Sequence, residues 1–311
     1  ESLAGYEALV RNFPATYYGM LARSRLEEVA PERAQRAQLA ASIPLMTPRA
    51  FSFRLGKLTS DRHFQAALEL MRIGFTQPAR DELMAVDRAR LRADRDPEPL
   101  RLVVLLLHEV GDVRGAHAVA RVDLKRDLAG RPTEESAQLW RIAYPLAFRD
   151  LIETHCGTAK VEPDLMQALM REESALDPRA HSWAGAVGLC QLMIPTAREV
   201  ARDLKLNIRI SGPQLFDPDL NIRLGSTYFA KLMKRWNGNL ALSIASYNAG
   251  AGAVNRWLKD RPNHQLDEFV EEIPIAETRN YVKRVLKSYN TYRMLYGEGS
   301  ATMSQKVLAS R

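Results

Sequence analysis

The chain has 311 residues, with 44 Lys and Arg against 37 Asp and Glu, a net charge of +7. With 46% hydrophobic and 26% charged residues it has the make-up of a folded protein long enough for two or more cores, which excludes a disordered or low-complexity chain. No run approaches the about 18 consecutive apolar residues that cross a bilayer, and the densest, Leu100 to Leu107, is interrupted by Arg101 and reads as a buried helix.

Glu1-Ser2-Leu3 opens directly into helical sequence, without an initiator Met or a basic and apolar leader. The expectation is a processed or trimmed chain, whose compartment is not read from a signal peptide. Cys156 and Cys190 permit one disulfide, which is compatible with an oxidising compartment but does not demand one. The basic excess suits a polyanionic partner or solvated helix faces equally. No basic cluster is interleaved with aromatics as a nucleic-acid groove requires, so nucleic acid is not expected as a partner.

Up to about residue 155 the pattern is helix after helix, with no convincing strand. Phe64, Leu68 and Met71 recur at helical spacing, as do Leu83, Val86 and Arg90 with its neighbour Leu91. Leu68-Glu69-Leu70-Met71-Arg72-Ile73-Gly74, with Ala79 five residues past the glycine, recurs 37 positions later as Leu105-Leu106-Leu107-His108-Glu109-Val110-Gly111, with Ala116 in the same place. The glycine would end one helix in a left-handed cap and the small Ala would let the next pack close. A helix pair repeating at this period suggests an α-solenoid. Two stretches break the helical pattern, Ser42-Ile43-Pro44-Leu45-Met46-Thr47-Pro48 and Leu128-Ala129-Gly130-Arg131-Pro132-Thr133, and both read as loops. A domain boundary is expected near Cys156-Gly157-Thr158, before Glu162-Pro163-Asp164 starts a new helix.

That helix ends in Glu172-Glu173-Ser174-Ala175-Leu176-Asp177-Pro178, and Gly185-Ala186-Val187-Gly188-Leu189-Cys190-Gln191-Leu192-Met193-Ile194-Pro195-Thr196-Ala197 comes a few residues later. A carboxylate at the end of an apolar helix, next to a glycine-rich loop, is how a cleft can hold an acid in a dry environment and keep it protonated near neutral pH. Consecutive helical side chains diverge by about 100°, so Glu172 and Glu173 are not partners. Apolar periodicity does not choose between them: Leu165 and Leu169 lead to Glu172, Met166 and Met170 to Glu173. Taken alone, two glutamates ending a helix face solvent. Further along come Ala245-Ser246-Tyr247-Asn248-Ala249-Gly250 and Ile273-Pro274-Ile275-Ala276-Glu277-Thr278-Arg279-Asn280-Tyr281-Val282. Ahead of both, Asp217-Pro218-Asp219-Leu220-Asn221 reads as a helix start, with Asp217 as N-cap and Pro218 in the first helical position. The six histidines lack His-Glu-x-x-His spacing and there is no Cys-x-x-Cys pair, so neither a metal nor any other cofactor is expected.

Taken in chain order, the four stretches beginning at Glu172, Gly185, Ala245 and Ile273 resemble the Slt-type soluble lytic transglycosylases, lysozyme-like enzymes that cleave the glycan strands of peptidoglycan, over roughly residues 158 to 297. The N-terminal helices, including Phe13-Pro14-Ala15-Thr16-Tyr17-Tyr18-Gly19, more loosely resemble the superhelix that precedes the catalytic domain in that family. The resemblance implies an all-α protein in two parts, an α-helical solenoid over 1–157 and a lysozyme-like catalytic domain over 158–311. The family's acid directly precedes Ser, which selects Glu173. Glu173 would protonate the oxygen between N-acetylmuramic acid and N-acetylglucosamine while the substrate's own 2-acetamido group stabilises C1, and would then act as base on the muramic C6 hydroxyl to close a 1,6-anhydro ring. Most glycosidases use two carboxylates; here one works twice.

The same resemblance implies substrate contacts for Ser182, Gln191, Met193, Tyr247, Asn248, Glu277 and Tyr281. Of these, Ser182 equally suits a hydroxyl capping a turn, and a Tyr beside glycines could serve as packing, although aromatics offer sugars a flat apolar face. Glu277 is the obvious second acid, but the family makes it structural or substrate-binding. Gly185 and Gly188 would let the loop turn sharply toward the sugar, Leu189, Leu192 and Ile194 read as core, and Arg279 is expected to pair with a carboxylate. Cys190 stands where the family usually has Met, which favours two free buried thiols. The implied partner is the glycan of peptidoglycan, whose stem peptides carry carboxylates, and the implied place is the bacterial periplasm or envelope, with peripheral envelope association possible and oligomeric state open. The rivals are a muramidase on the same fold, with water replacing the C6 hydroxyl, and a non-catalytic glycan-binding scaffold.

Overall fold

The computed structural model describes residues 2–41, 53–94, 96–134, 136–261 and 264–297. The loop expected at 42–48 and the end of the expected second domain, 298–311, lie outside them. Almost all regular structure is helical: α1 (Ser2–Asn12), α2 (Tyr17–Val29), α3 (Pro31–Ala41), α4 (Arg62–Arg72), α5 (Thr76–Ala85), α6 (Arg88–Ala93), α7 (Glu98–Glu109), α8 (Val113–Asp123), α9 (Ala137–Ala143), α10 (Arg149–Ala159), α11 (Pro163–Ser174), α12 (Ile194–Asp203), α13 (Pro218–Arg235), α14 (Leu240–Ala249), α15 (Ala251–Asp260), α16 (Leu266–Glu271) and α17 (Ala276–Tyr296). Among the described residues the only sheet is a hairpin of β1 (Ala186–Val187) and β2 (Leu192–Met193), antiparallel, with Ala186 opposite Met193. No helix among them is long and apolar enough to cross a membrane.

The chain folds as two compact units, Ser42–Pro145 and a second assembled from Glu1–Ala41 together with Leu146–Arg311. In the first, the internal repeat is a repeat of structure. Gly74 and Gly111 both adopt φ 82° beyond the ends of α4 and α7. The chain then turns back on itself, with Phe75 N–H donating to the Leu70 carbonyl and Asp112 N–H to the Leu107 carbonyl, each at 2.9 Å. Ala79 and Ala116 are fully buried, so α5 closes onto α4 and α8 onto α7. The helical run expected through Leu83, Val86 and Leu91 is interrupted. Val86 takes an extended ψ of 137°, and the Asp87 side chain caps α6 by accepting from Arg90 N–H. All three apolar residues are nonetheless buried. Residues 128–133 form the expected loop.

The other unit is built around α11. Pro163 occupies its first turn, and Leu165, Met166, Ala168, Leu169 and Met170 are all buried. A helix covered on every side has no single apolar face, which is why periodicity could not place the two glutamates. α17 packs along α11, α10 covers another side and in turn packs on α13, and α14 packs on α17. The helices α1 to α3 belong here too. Val10, Ala22, Leu26, Ala34 and Ala37 make a small core between them, and α2 docks on α17. Asn290 Nδ2 donates to the Pro14 carbonyl at 2.7 Å, Thr291 Oγ1 donates to the Ala15 carbonyl at 3.4 Å, and Thr16 caps α2 by accepting from Gly19 N–H at 3.0 Å. The compact division therefore differs from a cut at 157/158: α1 to α3 join this unit through α2 on α17, and α10, whose Ile152 and Cys156 are buried, belongs with the helices after it. Cys156 and Cys190 are both free thiols.

Candidate active site

Glu173 lies in the last turn of α11, which stops one residue later, at Ser174, because Ala175 and Leu176 both take left-handed backbone, at φ 51° and 64°. Two consecutive left-handed non-glycine residues are uncommon and cost energy. Ser174 fastens this bend by donating its hydroxyl to the carbonyls of Met170, at 3.0 Å, and Leu189, at 2.9 Å. The helix end is thereby tied to the glycine-rich loop.

The loop is clamped from outside. Asn221, fully buried, accepts from Cys190 N–H at 2.8 Å and donates through Nδ2 to the carbonyls of Val187, at 3.1 Å, and Leu215, at 2.8 Å. Gly188 sits against this clamp at φ 79°, and a Cβ there would lie 2.2 Å from both Asn221 Nδ2 and the Leu215 oxygen. Only glycine satisfies the dihedral and the space together. Tyr247, on α14, donates its hydroxyl to the Cys190 carbonyl at 2.8 Å, and its ring packs 5.3 Å from that of Tyr228. The start of α13 is as expected, with Asp217 accepting from Asp219 N–H. The reading of that stretch as a bare helix start passed over Asn221, one turn in.

The two neighbouring glutamates have opposite environments. Tyr281, buried on α17, donates its hydroxyl to Glu173 Oε1 at 2.5 Å. Burial drives the Glu173 carboxyl up to about 7, opposed by the Tyr281 bond and the nearby Arg284 guanidinium and aided by the charges of Glu172 and Glu277. Burial likewise pushes the hydroxyls of Tyr281 and Tyr247 well above the ordinary tyrosine range. The Glu172 carboxylate, only 3% exposed, is an ion-pair centre. Its Oε1 accepts from Arg171 Nη1 at 2.5 Å and from the Ser288 hydroxyl at 2.7 Å, and its Oε2 lies 3.4 Å from Arg284 Nε. The solvent-facing pair that the sequence alone suggested is thus two buried carboxyls, one suited to hold a proton and one ionised.

The other expected site residues are spread more widely in kind. Ser182 Oγ accepts from Ala186 N–H at 2.9 Å, the turn-capping alternative. Gln191, at φ 47°, spends its amide donors on the carbonyls of Ala180, at 3.1 Å, and Gly188, at 2.8 Å. Met193 is 43% exposed on β2. Asn248 accepts from Thr278 Oγ1 at 2.6 Å, and Glu277 is exposed in the first turn of α17. Arg279, expected on a carboxylate, donates instead to the Ile273 carbonyl at 3.1 Å, because it sits over the chain entering its own helix. Leu189, Leu192 and Cys190 are buried beneath the loop, and Gly225 makes room for the Cys190 thiol. Arg284 and Ser288 were not foreseen. Their signal was present in the 281, 284, 288 spacing, which places all three side chains on one face of α17.

Residues 150–270, which include the buried helix-end carboxyl of Glu173 and the clamped glycine loop, match the family described as transglycosylase SLT domain. That match covers less than half of the chain. The chain is similar to the soluble lytic murein transglycosylase of Escherichia coli K12, 36% identical over 163 residues, which are 52% of this chain and 25% of that protein. It is also similar to the membrane-bound lytic murein transglycosylase C of Histophilus somni strain 2336, 33% identical over 165 residues, 47% of this chain and 46% of that one. Among solved structures it resembles an inactive mutant of lytic transglycosylase Slt from Pseudomonas aeruginosa, with a TM-score of 0.69 at 26% identity. The 70-kDa soluble lytic transglycosylase in complex with bulgecin A gives a TM-score of 0.72 at 25% identity. These likenesses cover 97% and 98% of this chain but 44% of each solved chain, so the chain spans less than half the length of those proteins.

Proposed function

We propose that the protein is a lytic transglycosylase that cleaves the β-1,4 bond between N-acetylmuramic acid and N-acetylglucosamine in peptidoglycan, leaving 1,6-anhydro ends, in the periplasm or at the envelope. The observation that carries this reading is the asymmetry of the two glutamates. Glu173 is buried and near neutral, bonded to Tyr281 through one oxygen, so the other is free to present a proton to the glycosidic oxygen. Glu172 is tied to two arginines and a serine and is not disposed to attack C1, and Glu277 lies exposed at the start of α17. With neither offering a nucleophile, the substrate's acetamido group takes that part. Glu173, now a carboxylate, removes the proton from the C6 hydroxyl as that oxygen bonds to C1. Closure is intramolecular, so it proceeds at a high effective concentration.

The glycine-rich loop, pinned by Asn221 and Tyr247, supplies a fixed wall beside the acid, and Met193 with the Gln191 side chain offers mixed apolar and polar contact to a sugar. Mass analysis of muropeptides released from sacculi tests the reading. Products lighter by one water than reducing-end muropeptides are expected, whereas reducing-end muramic acid as the main product would assign a muramidase. No release of either would assign a glycan-binding scaffold.

A further inference from the structure

The family pattern gives a task to Glu173 and none to the residue before it, yet Glu172 is the more deeply anchored of the two. Its carboxylate stands between two guanidiniums with different surroundings. Arg171 is buried and also donates to the Ser288 hydroxyl at 3.2 Å, so it is fixed within the fold. Arg284 is half exposed, and Glu172 Oε2 at 3.4 Å is a carboxylate anchor for it. Arg284 is one turn beyond Tyr281 on the same face of α17, which brings its positive charge within electrostatic reach of Glu173. A guanidinium swinging onto Glu173 would ionise it and remove the proton that the first step needs.

We infer that Glu172 is a positioning residue for the proposed transglycosylation, holding the Arg284 guanidinium off Glu173 so that the acid retains its proton. The inference rests on Glu173 being the working acid. The charged and titratable groups that bear on Glu173 are few. Glu172 lies on its own helix; Tyr281, Glu277 and Arg284 come from α17, Cys190 from the loop, and Tyr247 from α14. Both the Cys190 thiol and the two tyrosines are held neutral by burial, their proton affinities pushed well above the ordinary range. The charges that can be moved by substitution are therefore Glu172, Glu277 and Arg284. Glu277 is exposed to solvent, which screens it, so the Glu172 and Arg284 pair is the device that can act in both directions.

Two substitutions separate this role from structural support. Glu172→Gln deletes the anchor and its negative charge, and should move the alkaline limb of the kcat/KM profile on soluble glycan down by about one pH unit. Arg284→Gln removes the positive charge and should move the same limb up. A merely supporting role would lower the rate in either variant and leave the limb in place. Because Arg171 is buried against Glu172, Glu172→Gln is the variant at risk of misfolding, while Arg284→Gln removes a half-exposed side chain. Titration of the Glu173 carboxyl by isotope-edited infrared or carbon NMR reads the same shift without turnover, so it stands even if the protein proves to cleave no glycan. Opposite displacements by the two single variants, with Glu172→Gln adding little further displacement once Arg284→Gln is in place, support the inference. A carboxyl titration unmoved by Arg284→Gln, or displaced in the same direction by both, would overturn it.

Discussion

Tyr281 reaches Glu173 from 108 residues away and occupies Oε1, so the acid's proton is left to the other oxygen. The bond favours the ionised carboxyl, which burial disfavours, and their opposition leaves the group near 7. Tyr281→Phe should therefore raise the proton affinity of Glu173 and move the alkaline limb of the pH profile upward. It should also cost about 10- to 100-fold in kcat through lost orientation, the loss corresponding to about 1.5–3 kcal/mol for a bond to a charged group. A pH series on the wild type should show activity falling above about 7, as the acid form is lost.

Glu173→Gln should abolish turnover while the variant remains folded and retains glycan binding. The native carboxyl holds its proton to about 7 against an ordinary 4.5, so the folded state binds more protons than the unfolded between those values, and stability is lost as pH rises through them. Glu173→Gln should then be more stable than wild type at pH 8, by about 3 kcal/mol, with the advantage vanishing toward pH 4. Denaturant titrations at the two pH values measure it.

Asn221→Ala removes three buried hydrogen bonds at once and leaves the Cys190 N–H and the Val187 and Leu215 carbonyls without that partner. A loss of about 2–4 kcal/mol is expected. Activity should fall further than stability alone explains, since the loop wall beside Glu173 loosens. Hydrogen exchange across 186–193 should accelerate in the variant while α17 stays protected.

A fragment beginning near Thr158 would lack α2 and α10. Asn290 and Thr291 would lose the Pro14 and Ala15 carbonyls, and the surface that covers α17 would be bared. We expect such a fragment to melt at least about 10 °C below the full chain or to aggregate, measurable by circular dichroism. A fragment as stable as the whole would show that residues 1–41 are dispensable for this unit.

The all-helical fold, the capped repeat at Gly74 and Gly111, the start of α11 at Pro163 and the N-cap at Asp217 were legible because each is a local signal of propensity or capping. Which glutamate holds the proton was not legible in periodicity, since α11 is covered all round and offers no phase. It emerged from the family pattern at Glu173-Ser174. The compact units divide elsewhere than near 157/158 for a related reason. A helix reads alike whether it stacks on its sequence neighbour or, like α2, on the distant α17. Asn221 escaped notice because a polar residue within a helix says nothing of the buried group it will meet, and Arg284 and Ser288 because the face they share with Tyr281 names no partner by itself.

The grip of Asn290 on Pro14 bears on synthesis as well as on architecture. With the first forty or so residues and α17 belonging to one unit, that unit cannot close until α17 has emerged from the ribosome. Until then the nascent chain holds Glu173 without Tyr281, and a half-made product carries an acid that has not yet been tuned.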